Sequence, residues 1–210
     1  MSVTDLDQLV EIQLVLQEDA TFSNGLWTLD EVIGYFNQRQ YRFLAETKML
    51  ASLATLPWIP EVEQQALPAD WIATIAATWH DYASNEVIPL PRADSFETDR
   101  LLGPTRAITS ALPQAFREAD TTETLTVAVS PPPASPGALG LLYVSLSEIL
   151  DGTGQLFDVP DDFVPYLKYG VYADMLGKTG RGQDLLRARY AEQRYQEGII
   201  LTQSLLQGWP

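Results

Sequence analysis

The chain contains no cysteine and only one histidine, His80, among its 210 residues. The absence of cysteine excludes disulfides, thiolate metal sites and cysteine nucleophiles, and it fits a reducing compartment. Because His80 has no second histidine or cysteine to accompany it, a metal would need an all-oxygen shell. We therefore expect no metal site and no cofactor.

Basic residues and long apolar runs are also scarce. Lys and Arg are absent from Met1 to Asn37, so the basic start of a secretory signal is missing and we expect no such signal. No apolar run approaches the roughly 18–20 residues that a membrane span requires. These two features predict a soluble protein without a membrane partner.

The chain is strongly acidic, with 28 Asp and Glu against 13 Lys and Arg and a formal charge of −15. Such a field repels nucleic acid, because a DNA-binding surface must neutralise phosphates. Sequence-specific DNA binding is therefore not expected. Two interpretations stay open: ordinary solubility, or an acidic wall around a passage in which DNA slides without adhering.

Two helical arms at opposite ends of the chain enclose a middle part with the pattern of β-strands. The clearest helical patterns cover residues 26–50 and 159–207. The proline-rich run 131–137 joins two extended apolar segments between them. Apolar residues make up 46% of the chain, enough for a folded core. We predict an α+β fold in which helical arms 1–60 and 161–210 pack on each other and 61–160 form a mainly antiparallel β insertion.

The N-terminal arm has clear helix signals. Residues 5–17 have apolar side chains at helical spacing, and Thr28 with Glu31 forms a capping-box pattern before the next helix. One stripe of that helix recurs every seven residues: Leu29, Phe36, Phe43 and Leu50. It predicts a bundle helix that faces a partner helix.

The C-terminal arm is predicted to form two helices. Asp161 or Asp162 begins the first, Gly177–Gly182 interrupts it, and the second covers residues 183–207. The apolar residues expected to cover the N-terminal stripe are Leu185, Tyr195, Ile199 and Leu206. They predict that the two arms share a core although about 100 residues separate them.

In the middle part, period-2 alternation predicts a strand at Leu125–Val129. The spacing of the apolar residues in Trp71–Trp79 fits a helix or a strand, and its Thr, Ile and Trp residues favour a strand, with a second extended piece at Glu86–Leu90. The segment Leu139–Leu146 is apolar on both faces, so we expect it at the centre of a sheet or at an interface. A capping-box pattern at Asp94 predicts a short helix through residue 102.

Three motifs suggest chemistry, and each has a simpler explanation. Gly177-Lys178-Thr179 resembles the end of a phosphate-binding loop, but Tyr172 stands where that motif needs glycine. The turn at 151–154 lacks the alternating oxygen ligands of a calcium loop. His80 beside Asp81 could serve acid–base chemistry, yet no nucleophile motif accompanies the pair. We do not expect an enzyme.

A cluster of cations in the C-terminal arm is the candidate interaction surface. Five of the 13 basic residues lie within 17 positions, and the interface candidates among them are Arg181, Arg187, Arg189 and Arg194. They are interpreted either as a solvated helix face or as the partner of an acidic N-terminal segment, within the same chain or in a neighbouring copy. The acidic residues of that segment are Asp5, Asp7, Glu11, Glu18 and Asp19. Trp209 is the last candidate, either as an anchor in a partner's pocket or folded back on its own bundle.

Three segments resemble the head-to-tail adaptor, or connector, proteins of tailed bacteriophages, which are related to tail tubular protein A of short-tailed phages. They are LWTLDEVIGYFNQRQ at 26–40, LPADWI at 67–72 and VPDDFVPYLKYG at 159–170, the last followed by an Arg- and Tyr-rich helix. The resemblance covers most of the chain in order, and it includes no catalytic signature.

The resemblance implies a virion structural protein that is made in the host cytoplasm and placed at the head–tail junction. Copies would form a ring, typically of twelve, between the portal protein and the tail nozzle or tube, and the genome would pass through it. Two alternatives stay open: another neck or tail-completion ring protein, and a small hydrolase-like enzyme that uses His80.

Overall fold

The computed structural model describes residues 2–16, 22, 25–60, 62, 64–94, 112–121 and 124–207. The chain divides into two compact units, one formed by Met1–Leu50 with Leu146–Pro210 and the other by Ala51–Ser145. The insertion therefore begins and ends earlier than the expected positions 61 and 160, because Ala51–Trp58 is a strand paired within the second unit.

The first unit is helical. Its described helices are α1 (Asp5–Leu16), α2 (Leu29–Thr47), α3 (Val164–Gly177) and α4 (Leu185–Gln207). One buried cluster joins side chains from all four helices, and its largest members include Phe36, Phe43, Leu167, Met175 and Tyr195. The helices thus bury one common apolar core.

Local sequence explains where α2 begins. The Glu31 backbone N–H donates to Thr28 Oγ1 at 3.3 Å, and the Thr28 N–H donates to Glu31 Oε2 at 3.0 Å. This is the reciprocal capping box predicted from the sequence, and it satisfies two N–H groups that have no partner within the helix. At the other end, Lys48 adopts a left-handed conformation and terminates the helix.

Two expectations about the C-terminal arm are wrong. Helix α3 begins at Val164 after Phe163, not at Asp161 or Asp162, because Asp161 Oδ1 accepts a hydrogen bond from the distant Val3 N–H. Leu185 and Leu206 are exposed, whereas Tyr195 and Ile199 are buried. The buried face of α4 is completed by the small residues Ala188 and Ala191, which allow close helix packing.

The second unit contains two antiparallel sheets. The four-stranded sheet has the order β1-β7-β3-β4, with β1 at Ala51–Trp58, β3 at Trp71–Asp81, β4 at Glu86–Leu90 and β7 at Gly137–Ser145. The three-stranded sheet has the order β2-β6-β5, with β2 at Gln64–Ala66, β5 at Ala115–Thr121 and β6 at Thr124–Ser130. One buried cluster contains side chains from both sheets. Together with the helical unit, this confirms the predicted α+β class.

Strand β7 is apolar on both faces and, as the sequence predicted, it lies at the centre of a sheet. This strand lies between β1 and β3, and Leu139, Leu141 and Val144 are fully buried. The proline-rich run separates β6 from β7, which belong to different sheets. Proline is stiff and has no backbone N–H, so this run is suited to connect two strands that belong to different sheets.

Strand β1 was not predicted from the sequence. It contains Pro57 and lies within residues 1–60, which the sequence predicted to belong to the helical arm. Because β1 lies at the edge of its sheet, Pro57 can occupy a ladder position without the loss of an interior hydrogen bond. The helix predicted from Asp94 to residue 102 lies outside the described residues.

Candidate interaction surfaces

A charged network lies where α2, α3 and α4 meet. Arg39 donates from Nε to Asp174 Oδ2 at 2.7 Å and from Nη1 to Glu192 Oε2 at 2.7 Å. Its side chain is only 9% exposed, and its guanidinium carbon lies 4.7 Å from the centre of the Tyr195 ring. The Tyr195 hydroxyl donates to the Arg39 carbonyl at 3.1 Å. The network therefore fixes three helices at one point.

Burial and charge attraction have opposing effects on the pKa values of the groups in this network. Burial alone would lower the pKa of Arg39, but hydrogen bonds and charge attraction from Asp174 and Glu192 outweigh it and raise that pKa. Burial also acts to raise the pKa of Glu192, whereas Gln196 and Arg39 lower it below its ordinary value of 4.5. Both groups are thus held in their charged forms at neutral pH.

The loop between α3 and α4 is held by packing against the first arm. A Cβ atom at Gly182 would lie 2.8 Å from the Trp27 ring, and Trp27 Nε1 donates to the Met175 carbonyl at 2.8 Å. Lys178 forms an ion pair with Glu31 in the capping box of α2. In this structure Lys178 is therefore a contact between the arms, and a helix precedes its loop where a phosphate-binding loop needs a strand.

The candidate arginines of the C-terminal arm have different surroundings. Arg194 pairs with Glu197 at 2.7 Å and lies near the Tyr169 ring, and Arg187 pairs with Asp184 at 3.4 Å. Arg181 and Arg189 are exposed, and neither has an ion-pair partner among the described residues. Trp209 lies outside the part of the chain that the structure describes.

The described carboxylates of the acidic N-terminal segment have partners within their own chain, and Glu18 and Asp19 lie outside the described residues. Asp5 is buried and accepts from the Gly152 and Gly154 N–H groups at 2.8 and 2.9 Å, which pins the turn at 151–154. Glu11 pairs with Lys168 of α3. Asp7 accepts from the Thr4 N–H and hydroxyl but remains exposed. Asp7 is therefore the carboxylate of α1 best placed to face a partner.

His80 and Asp81 have different partners. A His80 ring nitrogen lies 3.1 Å from Asn85 Oδ1, whereas the Asp81 carboxylate accepts from the Ser84 and Ser135 hydroxyls. The two residues are consecutive in β3, so their side chains point to opposite faces of the sheet. The geometry does not bring together the pair that a hydrolase-like mechanism would need.

In the part of the chain that the structure describes, no group of three or more His, Asp or Glu side chains is placed to hold a metal ion. No helix among the described residues is long and apolar enough to cross a bilayer.

Comparison with known proteins identifies the class as an adaptor. The model of the SU10 adaptor protein family matches residues 1–207. The chain belongs to this family, and the match confirms the resemblance to head-to-tail adaptors drawn from the sequence.

A solved structure described as the neck of an empty GTA particle, computed with C6 symmetry, is also similar. It shares 12% identity over 93% of each chain, with a TM-score of 0.29. The search of curated proteins found no match.

Proposed function

We propose that this protein is a head-to-tail adaptor that forms a ring, typically of twelve copies, between the portal and the tail of a phage particle. The observation that carries the proposal is the family match over nearly the whole chain. The protein would be made in the host cytoplasm and act in the virion, with portal protein on one side of the ring and a tail nozzle or tube protein on the other.

The charge of the chain supports a role around passing DNA. At −15 per copy, a ring would present a strongly acidic structure to the genome. Electrostatic repulsion would keep DNA from adhering to the wall without any sequence-specific contact. This role requires no catalytic group and no cofactor, so we propose a purely structural protein.

The exposed cations support contacts between protein surfaces. Arg181 and Arg189 are exposed without ion-pair partners among the described residues, in a chain with a large excess of acid. Exposed ion pairs contribute little individually, about 0–1 kcal/mol each. We propose that this arginine cluster sets the register of ring contacts, mainly through Arg181 and Arg189, because Arg187 and Arg194 already pair within their own chain. Apolar burial would supply the affinity, and Trp209 would anchor the protein in a partner's pocket.

The proposal is tested by mixing purified protein with portal rings and following co-migration by size exclusion. The same mixture is then prepared with a variant that lacks residues 208–210. We expect full-length protein to co-migrate with portal and the truncated protein to bind more weakly. Unchanged binding of the truncated protein would refute only the anchor role of Trp209.

The experiment also separates the adaptor from its nearest alternative. A different neck or tail-completion ring protein would form rings without binding to portal. Protein that neither joins portal rings nor forms rings at high concentration would contradict both interpretations.

A further inference from the structure

Helix α1 has an apolar face that the described residues leave exposed. Leu9 and Ile12 are buried, while Val10 and Leu14 lie on the opposite side, with Leu14 75% exposed. Asp7 belongs to the same outward face, because positions 7, 10 and 14 are adjacent on a helix. The outward face of α1, defined by Asp7, Val10 and Leu14 with Leu6 at its margin, thus combines aliphatic side chains with one exposed carboxylate.

The first half of α4 has a face of the opposite charge. Leu186 is 82% exposed and Tyr190 is also exposed, one helical turn further on. Arg189 lies beside them, exposed and without an ion-pair partner among the described residues. The outward face of α4, defined by Leu186, Arg189 and Tyr190, therefore combines apolar side chains with one available cation.

These two faces complement each other in charge and in apolar character, and both belong to the same chain. Cations are scarce here, and most of those described near α4 already pair with their own chain, as Arg187, Arg194 and Lys178 do. Arg189 is an exception, and it stands between two exposed apolar residues. A second copy of this chain supplies the matching carboxylate and aliphatic side chains.

We infer that the outward face of α1 in one copy packs on the outward face of α4 in the next copy. The two faces are different surfaces, so the contact is head-to-tail, the kind that closes into a ring when the rotation between copies permits. Apolar burial supplies the affinity, and the attraction between Asp7 and Arg189 sets the register. The inference rests on the proposed ring and specifies its lateral contact.

Cysteine crosslinking tests this contact, because the natural chain has no cysteine to interfere. Four double variants combine Leu6→Cys or Leu14→Cys with Leu186→Cys or Tyr190→Cys, so that both relative helix directions are sampled. The matched control combines Leu14→Cys with Leu53→Cys, since Leu53 in β1 is also 82% exposed but lies outside both faces. Each protein is oxidised mildly at high concentration, analysed on a non-reducing gel and imaged by negative-stain electron microscopy.

We expect at least one of the four pairs to give a ladder of covalent oligomers up to a closed ring, while the Leu53 control stays monomeric. Rings in the images without a ladder from any of the four pairs would overturn the inference and leave the proposed ring intact. Covalent dimers from Leu14→Cys alone would also overturn it, because they would show a symmetric contact between two copies of α1. A ladder of open oligomers without rings would support the contact and refute the ring, whereas neither ladder nor ring would refute both.

Reversal of the charges adds a second readout. Arg189→Glu places like charges at the contact, so the fraction of protein in rings should fall. Adding Asp7→Lys to that variant restores opposite charges and should recover the rings. Equal loss of rings in the single and double variants, with both proteins folded by circular dichroism, would contradict the pairing.

Discussion

At the scale of single residues, Arg39 explains most about how the helical unit holds together. It joins α2 to Asp174 of α3 and Glu192 of α4, residues that lie 135 and 153 positions away in sequence. Its side chain is buried, so removal of the cation would leave two carboxylates without their counter-charge. A buried charge without a partner costs more free energy than the intact pair contributes.

Arg39→Met should therefore lower the free energy of unfolding by about 3 kcal/mol, the lower end of the range for broken buried pairs, because both carboxylates retain some solvent. The matched control is Arg42→Met on the same helix, where an exposed pair with Glu46 is lost. Arg42→Met should lower the free energy of unfolding by about 0–1 kcal/mol. Urea denaturation measures the free energy of unfolding of both variants, and equal losses would show that the Arg39 network does not stabilise the helical unit more than an exposed ion pair does.

Glu192 makes a pH-dependent contribution to the same network. Its pKa in the folded protein is lower than its ordinary value of 4.5, so the folded state binds fewer protons than the unfolded state. The resulting stability is fully present above pH 4.5 and is lost as the pH falls through the lowered pKa of the folded state. Acid should therefore weaken the helical unit.

Glu192→Gln should reduce this acid dependence, because the glutamine side chain does not titrate. Melting temperatures of both proteins measured from pH 7 down to pH 3 give the comparison. We expect the variant to be less stable at pH 7 and to lose less stability on acidification. Parallel curves for the two proteins would refute the assigned role of Glu192.

At the scale of helices and strands, close packing between α3 and α4 depends on glycine. A Cβ atom at Gly198 of α4 would lie 2.4 Å from Tyr166 Cγ, and one at Gly170 of α3 would lie 2.8 Å from Cδ2 of Tyr195 in α4. In contrast, nothing lies within 4 Å of the corresponding point at Gly34 of α2. The three glycines are all helical, but only the first two are required by packing.

This contrast predicts opposite effects for the same substitution. Gly198→Ala should destabilise the protein by about 1–3 kcal/mol, since the overpacking outweighs the gain in helix propensity. Gly34→Ala should stabilise it by up to about 1 kcal/mol, because only the propensity changes. Thermal or urea unfolding of the two variants checks both signs, and a stable Gly198→Ala protein would show that α3 and α4 are not so closely packed.

The sequence predicted those elements whose signals are local. The capping box at Thr28 and the alternation in β6 are examples, because a cap and a period-2 pattern depend on neighbouring residues. The start of α3 and the strand β1 were missed, since Asp161 is occupied by a distant N–H and Pro57 is tolerated only by an edge position. A local sequence pattern shows neither a hydrogen bond from a distant residue nor the position of a strand at the edge of its sheet.

The candidate surface was predicted only in part for the same reason. The arginine cluster is visible in the sequence, but the sequence does not show that Arg194 pairs within its own helix while Arg189 remains available. The Arg39 network is also invisible, because its members are brought together only by the packing of three helices. The one signal in the sequence is the position of Arg39 between Phe36 and Phe43 on the apolar stripe of α2.

At the scale of the whole molecule, net charge opposes assembly at long range. Copies that each carry −15 repel one another, and the range of the repulsion falls from about 30 Å at 0.01 M salt to about 8 Å at 0.15 M. A single exposed pair such as the inferred Asp7–Arg189 contact contributes only about 0–1 kcal/mol. Repulsion should therefore dominate the salt dependence of the ring.

We accordingly expect the oligomeric fraction to increase as salt is raised from about 0.01 M to 0.15 M, because screening weakens the repulsion while apolar contacts persist. Sedimentation velocity at fixed protein concentration measures that fraction. Rings that dissociate steadily over the same salt range would mean that ion pairs, and not apolar burial, hold the copies together.

In the proposed function, this protein assembles into a ring on the portal. Electron microscopy of purified protein mixed with portal rings would show that assembly. The proposed function predicts a second ring stacked coaxially on the portal, with a continuous central channel through both. Images in which portal rings remain bare and this protein stays monomeric, even at high concentration, would contradict it.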